Sequence, residues 1–208
     1  MLRFDGHIAG MGTTSGTRIV VGHWTASPFG PVNDVMIESS DGHRLLLAGT
    51  EAVAAFVAAT YRFDEVRVTP VHVRPAKNAW DVVADPLRLR FTVGPRDPLG
   101  LLLSAVPAGL ARHRLWVSLV DLPARVLLAG VRTRGSAGNG RREWYGARDL
   151  RPITGLTATF AGRDLGRLTP VQPPVRFGFG SVPRRPALVT VTTTVAVPDR
   201  EFAGESEG

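Results

Sequence analysis

Leu87-Arg88-Leu89-Arg90-Phe91-Thr92-Val93 decides the fold class of this chain. Apolar and polar side chains alternate at every step, a period of two that a helix cannot hold on one side. Such a strand buries Leu87, Leu89, Phe91 and Val93 and leaves Arg88 and Arg90 in water.

The same rhythm recurs in both directions. Toward the N-terminus, Leu2, Phe4 and Ile8 alternate with Arg3, Asp5 and His7, and Gly10 to Gly16 reads as a loop before a strand from Arg18 to Trp24. Ser27-Pro28-Phe29-Gly30-Pro31 makes a turn. Val32 to Glu38 and His43 to Ala48 flank Asp41-Gly42, a strong hairpin signal. Further strands are expected at Val66 to Val73 and Trp80 to Val93. Toward the C-terminus they follow at Val131 to Arg134, Arg141 to Tyr145, Ile153 to Phe160, Val175 to Phe179 and Val189 to Val197.

Two stretches break the pattern. Thr50 is a good N-cap for the alanine-rich run Glu51 to Ala59, whose Val53, Phe56 and Val57 form one stripe. The leucine-rich segment from Pro98 to Gly130 reads as two short helices separated near Pro107–Gly109. Arg112-His113-Arg114 interrupts it well before the roughly 20 apolar residues that a bilayer-spanning helix needs. The expected fold is mainly β (α+β): an antiparallel β barrel or two packed antiparallel sheets, with one short helix near 50–60 and a helical insertion near 98–130. Residues 1–198 read as a single β-rich domain and 199–208 as a disordered acidic tail, with four acids against one arginine.

Composition narrows the chemistry. The chain has 208 residues and no cysteine, which excludes disulfides, thiolate metal sites and cysteine nucleophiles. Met1 to His7 lacks the basic flank and apolar block of a signal peptide, so a cytoplasmic location is expected. The net charge of +7 is carried almost wholly by arginine, Lys77 being the one lysine. Arginine, Ala, Gly, Val and Pro together point to a GC-rich bacterial genome, so codon bias accounts for the excess more simply than a polyanion partner does.

Familiar catalytic and metal patterns are missing. His7, His23, His43, His72 and His113 stand in separate segments without ligand spacing, and neither a metal site nor a cofactor is expected. Asp34 and Glu38 share a strand face but lie about 13 Å apart, too far for a paired-carboxylate site. Asp34, beside Phe29, reads most simply as a solvated acid. Gly-x-Ser-x-Gly, Walker and dinucleotide fingerprints are absent, and Lys77 sits in an apparent exposed turn.

One constellation remains. Gly135 to Gly140 carries three glycines and an Asn-Gly turn, with Arg132 and Arg134 before it, Arg141 and Arg142 after it, and Trp144-Tyr145 beyond. Guanidiniums, free backbone N–H groups and aromatic faces together suit a phosphate or carboxylate. An exposed hairpin whose arginines pair with Glu143 or Asp149 explains the same residues. Strand parity puts Arg142 and Trp144 on one face, and Arg141, Glu143 and Tyr145 on the other.

The expected function is therefore a small-molecule binding protein with an apolar cavity and a ligand-binding set of Arg132, Arg134, Arg141, Arg142, Trp144 and Tyr145. Its expected partner is a small hydrophobic or amphipathic ligand with an anionic group. No catalytic residue is identified, and whether the protein is an enzyme stays open, as does homo-oligomerisation. The alternatives are a polyanion or nucleic-acid binding module, and an interaction protein that uses the leucine-rich segment 99–128.

Overall fold

A computed structural model describes residues 1–105, 134–136, 141–178 and 182–197. The chain begins with β1 (Leu2–Thr13), β2 (Arg18–Ala26), β3 (Val32–Glu38) and β4 (Arg44–Ala48), an antiparallel meander. Helix α1 (Glu51–Thr60) follows and leads to β5 (Glu65–Val68), β6 (His72–Pro75), β7 (Ala79–Ala84) and β8 (Leu87–Val93). After α2 (Pro98–Ala105) come β9 (Arg134–Ser136), the 19-residue β10 (Arg142–Phe160), the short β11 (Arg163–Asp164) and β12 (Leu168–Thr169), and β13 (Ala187–Ala196). The main path runs β5-β4-β3-β2-β1-β13-β10-β8-β7-β6, a strongly curled sheet that forms a half-barrel.

The curl comes from β10. Its first half pairs with β13 from Arg142 to Pro152, and its second half pairs with β8 from Ile153 to Phe160. Register shifts at Ala147/Asp149 and Ile153/Gly155 bend the strand between the two partners, as bulges do. The sheet thus folds over itself into two layers. Met11, Ile19, Val35 and Leu47 of one layer pack against Val82, Leu87, Leu89 and Phe91 of the other. Each such side chain stabilises the fold by roughly 1.5–3 kcal/mol on burial.

In β8, Leu87, Leu89, Phe91 and Val93 are buried and Arg88, Arg90 and Thr92 are exposed, as the alternation dictates. Five boundaries differ from the sequence reading. The expected strand Val66 to Val73 divides into β5 and β6, and Val175 to Gly178 form no strand. The glycines from Gly10 onward do not open a loop: β1 continues to Thr13 because this central strand is covered on both faces. A Cβ at Gly10 would come within 1.9 Å of Val182 Cγ1, and one at Gly12 within 2.3 Å of the Pro170 carbonyl. These glycines mark close packing rather than a turn. The run from Trp80 to Val93 divides into β7 and β8 at Asp85-Pro86, and the two halves of β10 are one strand rather than two.

One pair departs from the antiparallel rule. β5 lies parallel to β4, because α1 carries the chain back to the end at which β4 began. Thr50 caps α1 by accepting from the Val53 N–H, and Val53, Ala54 and Val57 bury against Leu46 and Ala48. Helix α2 starts where helix was expected and packs on β10. Gly100 lets it approach, since a Cβ there would lie 2.1 Å from the Leu150 carbonyl oxygen. The remainder of the expected helical insertion, residues 106–130, lies outside the described residues, as does the acidic tail. Among the described residues no helix is long and apolar enough to cross a membrane.

Candidate ligand cavity

The face of β1–β4, β13 and β10 turned away from the two-layer core is also apolar, and α1 with Val175, Phe177, Gly178 and Val182 covers it. Between them lies a partly open cavity of about 70 Å3, smaller than the roughly 300–1,000 Å3 usual for drug-sized ligands. Strand parity selects its wall. Phe4 and Ile8 of β1, Val20 and Trp24 of β2, and Val32, Asp34 and Met36 of β3 all point into it. Phe56 and Val57 of α1 and Phe177 close it from above.

Aromatic rings form its rim. The Phe4 ring lies 5.6 Å from Trp24, edge to face, and 5.2 Å from Phe56, stacked. Phe29, on the Ser27–Gly30 turn, reaches in to 5.4 Å from Phe56. Such ring pairs add roughly 0.5–1.5 kcal/mol beyond area burial and hold their geometry.

Two acids interrupt the apolar wall. Asp34 is 3% exposed, and its one side-chain hydrogen bond among the described residues is received at Oδ1 from Trp24 Nε1 at 3.0 Å. Burial pushes its pKa up to about 6, against the lowering effect of the Trp24 bond. Gly22 lies directly opposite Asp34 on β2. A Cβ there would meet Asp34 Oδ1 at 2.4 Å and Trp24 Nε1 at 2.7 Å, so the missing side chain makes room for the bond.

Glu143 is the second acid, 1% exposed, and it meets two phenols. Tyr61 Oη donates to its carboxyl oxygens at 3.1 and 2.9 Å, Tyr145 Oη donates to Oε2 at 3.0 Å, and the two phenol oxygens are 2.5 Å apart. Burial raises the Glu143 pKa to about 7, with the two phenols and the Arg141 charge pulling the other way. The Tyr61 phenol is raised well above its ordinary value by burial, then by Tyr145 and Glu143. Proton counting explains the cluster. Three mutual contacts need three hydrogens; the phenols bring two, and the third is present only when Glu143 is protonated. On the β3-β2-β1-β13-β10 path Asp34 and Glu143 are four strands apart, about 19 Å along the sheet. They are two poles of one cavity, not a carboxyl dyad.

The arginine hairpin divides between the two faces of β10. Arg134 pairs with Trp144 in the backbone ladder, which joins β9 and β10 as the expected hairpin. Arg142 is exposed and Trp144 half-buried on the face away from the cavity, while Arg141, Glu143 and Tyr145 are buried on the other. Arg141 is held by α1: its Nη1 donates to the Phe56 carbonyl at 2.9 Å and to Thr60 Oγ1 at 2.5 Å, and its Cζ sits 4.7 Å above the Phe56 ring. Asp149 pairs with Arg96 at 2.8 Å. Arg132 and residues 137–140 of the loop lie outside the described residues. Of the sequence-derived set, Tyr145 lines the cavity and Arg141 buttresses it from behind Phe56.

Asp34 is buried, not solvated, and the sequence carried a signal for it: the acid shares its strand face with Val32 and Met36. Trp24, Phe56 and Tyr61 carried no such signal, because helix and strand meet here only in the tertiary fold. Glu38, the other acid of β3, serves elsewhere. It is fully buried, 2.8 Å from Arg18 and 2.9 Å from Arg176 Nε. His7 and His23 face each other across β1 and β2 with rings 6.1 Å apart, and His23 Nδ1 bonds Asn33 Oδ1 at 2.7 Å. Among the described residues no three metal-binding side chains cluster.

The fold and cavity define a curled β-sheet protein with an aromatic, acid-bearing pocket on one face. The sequence matches no protein-family model and no curated protein.

Proposed function

We propose that this chain is a small-molecule binding protein whose ligand lies in the cavity between the sheet face and α1. The observation that carries this reading is a pocket of about 70 Å3 that is walled by aromatic and aliphatic side chains and interrupted by the buried carboxyl of Asp34. Apolar walls with a few fixed polar groups are how proteins bind and orient small organic molecules. The body of the ligand stacks among Phe4, Phe29 and Phe56. Its polar end belongs at the acids of the wall, because Arg142 stands on the opposite face of β10 and the described lining contains no arginine.

Native mass spectrometry of gently purified protein tests the proposal, with the cavity-filling variant Met36→Trp beside the wild type. A small molecule should accompany the wild type, or be taken up from an added library of aryl and alkyl compounds, and be lost from the variant. Equal uptake by the two proteins would place the ligand elsewhere and refute this reading.

A further inference from the structure

We infer that the ligand is an organic cation, a protonated amine on an aromatic or branched aliphatic body, with its N–H groups directed at Asp34 Oδ2. The inference rests on the binding-cavity reading above and adds the charge of the ligand.

Asp34 carries the argument. A carboxylate can accept about four hydrogen bonds, yet the buried Asp34 accepts one, at Oδ1, and Oδ2 has no partner among the described residues. Leaving a charged group desolvated and under-bonded costs several kcal/mol. Residues near Asp34 offer no cation: it faces Gly22 on β2 and Ala48 on β4, and Trp24 is its neighbour on the cavity side. An ammonium ligand supplies the missing charge and the missing donors in one group.

The rings around the carboxyl favour the same sign of charge. Seven aromatic side chains line the cavity, among them Trp24, Phe4, Phe29 and Phe56, and their faces attract cations. Phe56 already does so in the structure, with the Arg141 guanidinium over its ring. Glu143 adds a second acid at the far pole, and the described lining contributes no lysine, arginine or histidine to oppose it. An anionic ligand would be desolvated between two carboxyls. A wholly apolar one would leave Oδ2 unbonded. Thr193 Oγ1, buried, unpartnered and facing the cavity, suits an additional hydroxyl on the ligand.

The test uses three probes of matched shape: 2-phenylethylamine, 2-phenylethanol and 3-phenylpropionate, titrated by calorimetry and by tryptophan fluorescence at neutral pH. The ammonium should bind at least about tenfold more tightly than the alcohol, the worth of one charged hydrogen bond, and the carboxylate more weakly than either. In Asp34→Asn the preference for the ammonium over the alcohol should vanish. Should that variant fail to fold, the wild-type ranking alone decides. If the alcohol or carboxylate binds wild type as well as the ammonium and Met36→Trp abolishes it, the cavity stands and the cation inference falls. If no probe binds and nothing accompanies the purified protein, both fall.

Discussion

Trp24 donates its indole N–H to the buried carboxyl of Asp34 at 3.0 Å, reaching diagonally between neighbouring strands over the bare Cα of Gly22. This contact sets the chemistry of the cavity, because among the described residues it is the one hydrogen bond that steadies an acid taken almost wholly out of water. Trp24→Phe keeps the ring and removes the donor. Its cost should be about 1–3 kcal/mol where Asp34 is ionised. The loss should shrink where the acid is protonated, so urea unfolding at about pH 8 and about pH 5 checks both size and origin.

Gly22→Ala should disturb the same pair from below. With the new Cβ at 2.4 Å from Asp34 Oδ1, either the carboxyl or the strand must move, at the roughly 1–3 kcal/mol typical of overpacking. Trp24 fluorescence should shift with it, whereas Gly49→Ala, whose Cβ would meet nothing closer than the Asn33 carbonyl oxygen at 4.0 Å, should leave that emission unchanged.

Glu143 makes stability depend on pH in the direction opposite to a salt-bridged acid. Its folded pKa of about 7 lies above the ordinary 4.5, so between these values the folded state holds the extra proton. The contribution is full below about pH 4.5, declines as pH rises, and is gone above about pH 7. Asp34, raised to about 6 from 3.8, acts in the same sense at lower pH. Glu143→Gln keeps a hydrogen-bonding amide without the charge. Relative to wild type it should gain on the order of 2–3 kcal/mol between about pH 5 and about pH 8.5, as read from chemical unfolding at the two pH values. A constant difference would show that the carboxyl is ordinary.

Arg141 and Arg142 are neighbours in sequence with opposite roles. Arg141→Ala removes the bonds to Phe56 O and Thr60 Oγ1 that tie β10 to α1 and should cost about 1.5–3 kcal/mol. Arg142→Ala, on the exposed face, should change stability by less than about 0.5 kcal/mol and leave the affinity of any cavity ligand unaltered. Parallel melts and titrations of the two variants check this.

Glu38 holds the other end of β3. Replacing it with Gln leaves Arg18, 3% exposed, facing no charge, a change worth about 3–5 kcal/mol for a broken buried pair. Arg176→Ala should cost far less, since that side chain is 66% exposed and Arg18 still neutralises Glu38. Denaturant midpoints of the two variants should differ accordingly.

What the sequence determined by itself was what depends on near neighbours. Period-two alternation determined β8 and β13, Asp-Gly determined the β3–β4 hairpin, and Thr50 with an alanine-rich run determined α1, because strand parity and capping act over a few residues. The parity of Arg141 to Tyr145 was legible for the same reason. Tertiary structure decided the rest. Whether Gly10 and Gly12 open a loop or lie under Val182 and Pro170 depends on a chain segment about 170 residues away. That Asp34 is dry rather than solvated depends on α1 and Phe177 closing over its strand. Tyr61, Glu143 and Tyr145 meet because β10 bends past the end of α1. Desolvation and convergence are properties of packing between distant segments, and pattern within a segment carries no record of them.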